Sequence, residues 1–307
     1  MAATPTHHPT HRLAAGTFFG LCLALCASLT AAQPIRHAMA QQQSSQVITY
    51  ELEVLQLLLD KTRTSHGDYG LQATEVVTQN RAFLQLQAGE VDVLSSMSSA
   101  EREVQGLALR VCLYRGLLGV RLPVVLAGRA AELDALDQPG QLRSLRHGQV
   151  SDWPDSQILL ANGWRVERMP RLAAFAELLR RDRIDTFALG AIEVYPIADA
   201  HPGLTVLQRW AIAYPSAFYF FVSPKRPELA ERLRRGWELA LADGSFVALF
   251  EQRIGPQLAR ARLDRRRWMV LNNPLLPPDT PLDKAPYWHP LVRSKLLLTL
   301  NSGKPRP

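Results

Sequence analysis

The sequence predicts an α/β fold with largely parallel sheets. Two observations carry this: short apolar segments of strand length alternate with amphipathic helical ones, and no repeat or low-complexity block interrupts residues 47–270. Composition sets the class. Of 307 residues, 47% are hydrophobic and 21% charged, the balance of a soluble globular protein and not of a disordered, collagen-like or polytopic membrane chain.

Glu51 to Lys61 puts apolar residues at 52, 54, 55, 58 and 59, one face of a helix. Gly67 to Gly70 is a turn and Leu71 to Val77 alternates as a strand. Asn80 to Gln87 is a second helix, closed by Gly89, and Val91 to Leu94 is a short buried strand. Further strands are expected at Arg121 to Ala127, Trp164 to Arg168, Thr186 to Leu189, Thr205 to Leu207 and Phe218 to Val222. Helices are expected at Ser156 to Ala161, Leu172 to Arg181, Ala191 to Ala198, Glu228 to Leu241 and Ser245 to Arg253. Beyond Leu271, prolines 274, 277, 278, 281, 286 and 290 prevent regular structure. That tail, 271–307, reads as an extended strap docked through Leu275, Leu276, Tyr287, Trp288 and Leu291.

Residues 1–40 read as a cleaved secretory signal peptide. His7, His8, His11 and Arg12 precede an apolar and small-residue run from Leu13 to Ala32. Ala38-Met39-Ala40 offers small side chains to a signal peptidase, with Thr30-Ala31-Ala32 as a second candidate; an uncleaved anchor is the alternative. The mature chain is then periplasmic, and no later run is long enough to span a bilayer. Cys22 and Cys26 leave with the signal, so the remaining Cys112 has no partner for a disulfide and reads as a small hydrophobe in a strand. Removing the first forty residues, which hold Arg12 and Arg36 and no acid, takes two charges from the net +7. Such an excess does not indicate nucleic acid. The arginine clusters at 180–183, 232–235 and 260–267 read as solvated helix surface, with 262–267 as an alternative partner surface.

Three stretches resemble the extracellular solute-binding proteins of family 3, the periplasmic receptors of amino-acid ABC transporters. Phe83 to Val93 (FLQLQAGEVDV) is similar to the family's helix–strand unit, Met97 to Arg102 (MSSAER) to its "MT.TPER", and Ala242 to Glu251 (ADGSFVALFE) to its closing helix pair. The resemblance covers about residues 47–255. It implies a two-lobed periplasmic binding protein-like type II fold, each lobe a mixed sheet flanked by helices, joined by two hinge crossovers. Lobe one takes residues 47–120 and 223–270 and lobe two takes 121–222. Hinge candidates are Gly116 to Leu122 and Ala217 to Ser223, the glycines able to absorb a backbone rotation.

The resemblance also implies a site. Its ligand-carboxylate contacts fall on Ser99 and Arg102, and a guanidinium fork matches a carboxylate. The bland alternative is a helix cap with a surface ion pair. The place of the family's opening strand and aromatic loop is shortened here, leaving Tyr50 as the one aromatic near it. The acid that pairs with an α-amino group falls on Gly190, with Glu193 nearby but out of register. That argues against an ordinary zwitterionic amino acid. In lobe two the polar turn His147 to Asp155 stands where backbone amides meet the ligand, adding Ser151, Asp152 and Trp153. Asp152 or Asp155 is also a cap for the helix that follows.

The expected function is non-enzymatic: capture of a small polar, carboxylate-bearing solute for an ABC transporter permease or a membrane sensor, by a monomer. No metal spacing, cofactor motif or catalytic triad appears, and no cofactor or nucleic-acid partner is implied. A dehydratase-like enzyme on the same fold and an accessory protein without a ligand are the alternatives.

Overall fold

The computed structural model describes residues 1–4, 34–39, 45–75 and 78–298. The chain divides into two units, Met1–Ala32 and Gln33–Pro307, and both sheets belong to the second. In chain order the strands are β1 (Ile35–Ala38), β2 (Leu71–Ala73), β3 (Val93–Met97), β4 (Leu107–Leu109), β5 (Val120–Leu126) and β6 (His147–Val150). They continue with β7 (Val166–Met169), β8 (Thr186–Gly190), β9 (Leu204–Val206), β10 (Trp210–Ala213), β11 (Phe218–Val222) and β12 (Arg267–Val270). One sheet has the order β2-β1-β3-β11-β4, the other β12-β10-β5-β8-β6-β7 with β9 on β5.

Both sheets are mixed rather than largely parallel. β1 is parallel to β2 and β3, but β11 runs antiparallel to β3 and β4. In the second sheet β6 is parallel to β7 and β8, while β5 is antiparallel to β8, β9 and β10. The antiparallel pairs arise where the chain enters one sheet and returns to the other. That return decides which strand belongs where: β11 lies in the first sheet and β12 in the second, each across the boundary drawn from the sequence.

The start of the chain corrects the sequence reading most. Ile35–Ala38, which the sequence reading placed inside the leader, is a strand between β2 and β3. The first sheet therefore opens with a strand, and the shortened start does not exist. The physical anchor is Asp92, whose buried carboxylate accepts from the Arg36 backbone N–H (2.8 Å), from its Nε (3.1 Å) and from its Nη2 (2.8 Å). Arg226 adds a second cation at 3.1 Å. Cleavage after Ala40 would delete this strand, whereas cleavage after Ala32 would spare it. The apolar run Leu13–Ala32 lies outside the described residues, and no described helix is long and apolar enough to cross a membrane.

The helices follow the apolar periodicity, with longer bounds. Ser45–Lys61 buries Val54, Leu55, Leu58 and Leu59, and Pro227–Ala242 packs on it. Gln79–Ala88 ends on Gly89 at φ 73°, a left-handed cap that frees its N–H for the last carbonyls. Ser245–Ala261 runs past Arg253 and through Pro256, because Ile254 and Ala261 are buried beyond the expected stop. Cys112 is buried as expected but lies in the turn after β4 and not in a strand. The charged clusters are not all solvated. Arg266 is buried against the carbonyls of Ala261, Leu207 and Trp210, and Arg232 against Thr62 and Gly67.

A chain beginning at Gln33 should unfold cooperatively in a denaturant titration, and one beginning at Gln41 should not, since it lacks a central strand. Asp92→Ala should cost about 3 kcal/mol by the same measurement, because it strands two arginines and removes three charge-assisted hydrogen bonds.

Candidate functional site

The site is built where the chain crosses between the sheets. One crossing, Arg115–Gly119, leads into β5, and the other, Tyr214–Ala217, connects β10 to β11. They touch: Tyr214 N–H donates to the Gly119 carbonyl at 3.1 Å. A Cβ on Gly119 would stand 2.3 Å from the Tyr214 carbonyl oxygen and 2.6 Å from Ser216 Cβ, so glycine is required for close approach. The second crossing thus precedes β11, which is a central strand and not itself the crossover.

The tail makes a third link. Asn272 and Asn162 exchange side-chain-to-backbone bonds at 2.8 and 3.0 Å, and Asn273 Nδ2 donates to the Pro215 carbonyl at 2.8 Å. The Ala100 N–H then donates to the Leu275 carbonyl at 3.3 Å, which carries the strap onto the first lobe. Farther on, Trp288 is buried against Gly116 and donates through Nε1 to the Pro281 carbonyl.

A cavity of about 390 Å³ lies between the two lobes and the tail. The first lobe lines it with Asn80, Phe83, Ser99 and Arg102, the second with Ser151, Asp152 and Gln157, and the tail with Pro274 and Leu275. Four of the six residues expected from sequence meet here. Ser99 is the cap of the turn Ala100–Glu103, accepting from Arg102 N–H at 3.2 Å. Arg102 is buried, not a surface ion pair. Its Nη1 donates to Ser96 Oγ (2.8 Å) and the Met97 carbonyl (3.1 Å), its Nη2 to the Asp152 carbonyl across the lobes (3.1 Å), and its plane lies over Phe83. Burial lowers its pKa to about 10 despite the fields of Asp152, Asp155 and Glu101. Asp152 does not cap the helix that follows it. Its Oδ2 accepts from Gln79 N–H at 2.9 Å, at the start of the first lobe's helix Gln79–Ala88, and its buried Oδ1 has no partner.

Trp153 and Glu193 belong elsewhere. With Arg121 and Asp155 they line an inner chamber of about 20 Å³, room for about one water. Arg121 Nη2 stands 2.6 Å from Asp155 Oδ1, its Nη1 3.4 Å from Glu193 Oε1, and its Nε donates to Tyr214 OH at 3.1 Å. Tyr214 OH donates in turn to Asp155 Oδ1. Burial works against the Arg121 charge, but Asp155, Tyr214 and Glu193 outweigh it and its pKa is raised. Glu193 is buried enough that its pKa is raised even beside Arg121, and its Oε1 also accepts from Gly190 N–H at 3.1 Å. Its carboxylate is therefore engaged inside the protein, and Asp155 is an ion-pair residue and not a cap.

Sequence reasoning missed this cluster, since Arg121 reads as one polar residue at the edge of an apolar strand. It also passed over Glu51. That carboxylate is buried under the first sheet, accepting from Ser95 Oγ at 2.5 Å and Tyr114 OH at 2.7 Å, and burial pushes its pKa up to about 7. Its neighbour Tyr50 is core: the ring packs on Tyr114 and Phe250 and the hydroxyl donates to the Leu113 carbonyl. His147 sits in β6, not in a loop, with Nε2 on the Leu142 carbonyl and its pKa lowered by burial to about 4.

No family model matches the chain, and no curated protein matches its sequence. Solved structures do match. The arginine-specific periplasmic binding protein of Salmonella typhimurium aligns at a TM-score of 0.57 with 12% identity, over 73% of this chain and 100% of that one. An ancestral arginine-binding protein bound to arginine gives 0.56 with 15% identity, over 72% and 98%. A histidine kinase sensor domain with similarity to periplasmic binding proteins gives 0.55 with 15% identity, over 73% and 96%. The chain therefore has the mixed α/β, two-lobed fold of periplasmic solute-binding proteins. At these identities the likeness is one of fold.

Arg121→Met should destabilise by about 3–5 kcal/mol in denaturant, because the buried carboxylates Asp155 and Glu193 lose their shared cation. Glu51 gives a pH signature. Below about pH 4.5 it is protonated in both folded and unfolded chains. Between there and about 7 only the unfolded chain releases the proton, so stability falls as pH rises. Glu51→Gln should shrink the stability difference between pH 5 and pH 8 by about 2 kcal/mol, read from urea midpoints at the two pH values.

Proposed function

We propose that this protein is a periplasmic solute-binding protein that captures a small, polar, carboxylate-bearing molecule between its lobes. The observation that carries the reading is Arg102. It is a buried guanidinium beside a cavity of about 390 Å³, with no carboxylate in ion-pair reach among the described residues. A buried cation without a counter-charge is costly, and an entering anion supplies one with two-pronged geometry. Ser99, Ser151 and Asp152 at the same cavity complete the proposed contact set.

Glu193 and Trp153 do not face this cavity, and Glu193 is occupied by Arg121 and Gly190. That supports a solute without an α-ammonium group seated at Glu193. Export through the Leu13–Ala32 segment, with processing nearer Ala32 than Ala40, agrees with the need to keep β1. Delivery then follows to an ABC transporter permease or to a sensor, the chain acting as a monomer in which the crossings at Gly119 and Tyr214 let two lobes move. The structural neighbours include a periplasmic binding protein and a histidine kinase sensor domain, and the reading draws on both.

One observation favours a second reading, an accessory protein without a solute: three of the Arg102 donor contacts already end on the protein itself. A thermal-shift screen against dicarboxylates, amino acids, polyamines and sugars separates the two. A concentration-dependent rise with a carboxylate is expected, and silence throughout would favour the accessory reading. Calorimetry on the hit should show binding abolished in Arg102→Ala; unchanged affinity would remove Arg102 from the site.

A further inference from the structure

We propose that the arginine-rich edge of the second sheet, together with the end of the tail, is a docking face for an anionic lipid surface. The inference goes beyond the solute-binding reading and uses no residue of the cavity lining. From Arg260 to the end of the sequence there are ten Lys or Arg and three Asp or Glu, so this stretch carries the whole net charge of +7 and residues 1–259 balance to zero. The other basic clusters are answered locally. Arg181, Arg234 and Arg235 each pair with a glutamate three or four residues away, and Arg232 is buried. In the C-terminal stretch Arg260 pairs with Asp199 and Arg265 stands 3.9 Å from Asp264. Among the described residues Arg262, Arg267 and Arg293 have no carboxylate in ion-pair reach.

The fold gathers these cations instead of scattering them. β12 closes one side of its sheet against β10, which sets Arg267 directly across from Trp210. The Arg267 guanidinium carbon lies 4.5 Å from the Trp210 ring centroid, and Nη1 donates to the Asp137 carbonyl at 2.7 Å. Both contacts fix the group in place and neither cancels its charge. Lys295, from the far end of the tail, meets Arg267 and Trp268 along a surface groove of about 350 Å³. Arg262, Arg265, Arg267, Arg293 and Lys295 are all exposed.

Apolar groups stand among the charges. Trp268 is half-buried with Nε1 on the Leu263 carbonyl at 3.0 Å, and Leu298, three residues beyond Lys295, is 63% exposed. Cations without acids, an indole with one wet edge and an exposed leucine together suit a membrane surface. There the cations meet lipid phosphates and the apolar groups reach the acyl boundary. An acidic polypeptide would answer the charges but not the leucine. Lys304 and Arg306 add two more charges to the same stretch of sequence.

The test is co-sedimentation of the full chain with vesicles of phosphatidylcholine, with and without about one third phosphatidylglycerol. The apolar run Leu13–Ala32 has access to both vesicles, so the quantity read is the ratio of the two partition coefficients. That ratio should be about a hundred or more at low salt and fall toward one at about 1 M salt, where the Debye length is about 3 Å. Arg265→Gln with Arg293→Gln changes two exposed side chains and should lower the ratio about tenfold or more, at an unchanged denaturant midpoint. Arg267→Gln with Lys295→Gln should lower it as far. A wild-type ratio near one, or a ratio that neither pair moves, would overturn the docking face. Loss confined to the Arg267 and Lys295 pair would replace the lipid surface by a discrete phosphate pocket in the groove. Binding to polyglutamate without any dependence on phosphatidylglycerol would replace it by an acidic polypeptide, and either of these results also overturns the proposal. None of the readouts involves a solute, so the solute-binding reading stands or falls separately.

Discussion

Charge buried between two lobes must be answered, either from inside the protein or by something that enters, and this constraint organises the whole seam. The inner chamber answers it internally. Arg121 sits against Asp155, Glu193 and Tyr214, all on the second lobe or its crossing, in a space that holds about one water. The outer cavity answers it incompletely. Arg102 meets only a hydroxyl and two carbonyls at short range, and the nearest acid, Asp152, offers its main chain to the guanidinium and its carboxylate to a helix start. One compartment is closed electrostatically and the other is left to be completed.

Packing decides how much the lobes can do about it. The two crossings lie in direct contact at Gly119 and Tyr214, which confines any rotation to a few residues. The tail adds a third link that begins on the second sheet at β12, passes the cavity at Pro274 and Leu275, and reaches the first lobe through Ala100. Proline density limits that segment to turns and the short 3-10 turn Ala285–Tyr287, and contrary to the sequence expectation it becomes helical at Pro290–Leu297, where proline sits at the helix start. Trp288, buried on Gly116, anchors its far end next to the first crossing. The cavity and the tail are thereby coupled through residues with no chemistry of their own.

The elements that were legible in advance share one property: their own residues announce their burial, as a one-sided apolar stripe in a helix or a nearly continuous apolar run in a strand. The helices Ser45–Lys61 and Pro227–Ala242, and strands such as Val120–Leu126 and Phe218–Val222, fall in this group. Ile35–Ala38 does not. Four residues in a small-residue neighbourhood read as the end of a leader, because what makes them a strand is Asp92, some fifty-six positions away. His147–Val150 was hidden in the same way, a quartet with one strand-forming residue, Val150, made into a strand by neighbours β7 and β8 on either side. Of the site, Ser99, Arg102, Ser151 and Asp152 were readable because they sit on motif-like turns next to strands. Arg121, Tyr214 and Gln79 were not, since nothing local distinguishes a polar residue that will face another lobe.

From its residues alone this chain determined its alternation of elements and its fold class, because helix and strand patterns are local properties. Tertiary structure alone decided that Glu193 and Trp153 stand apart from Arg102, that the first strand begins before residue 40, and that Asp152 reaches across to the opposite lobe. Those outcomes depend on which strand the chain returns to, and pairing between distant segments is set by long-range contacts that no local pattern encodes.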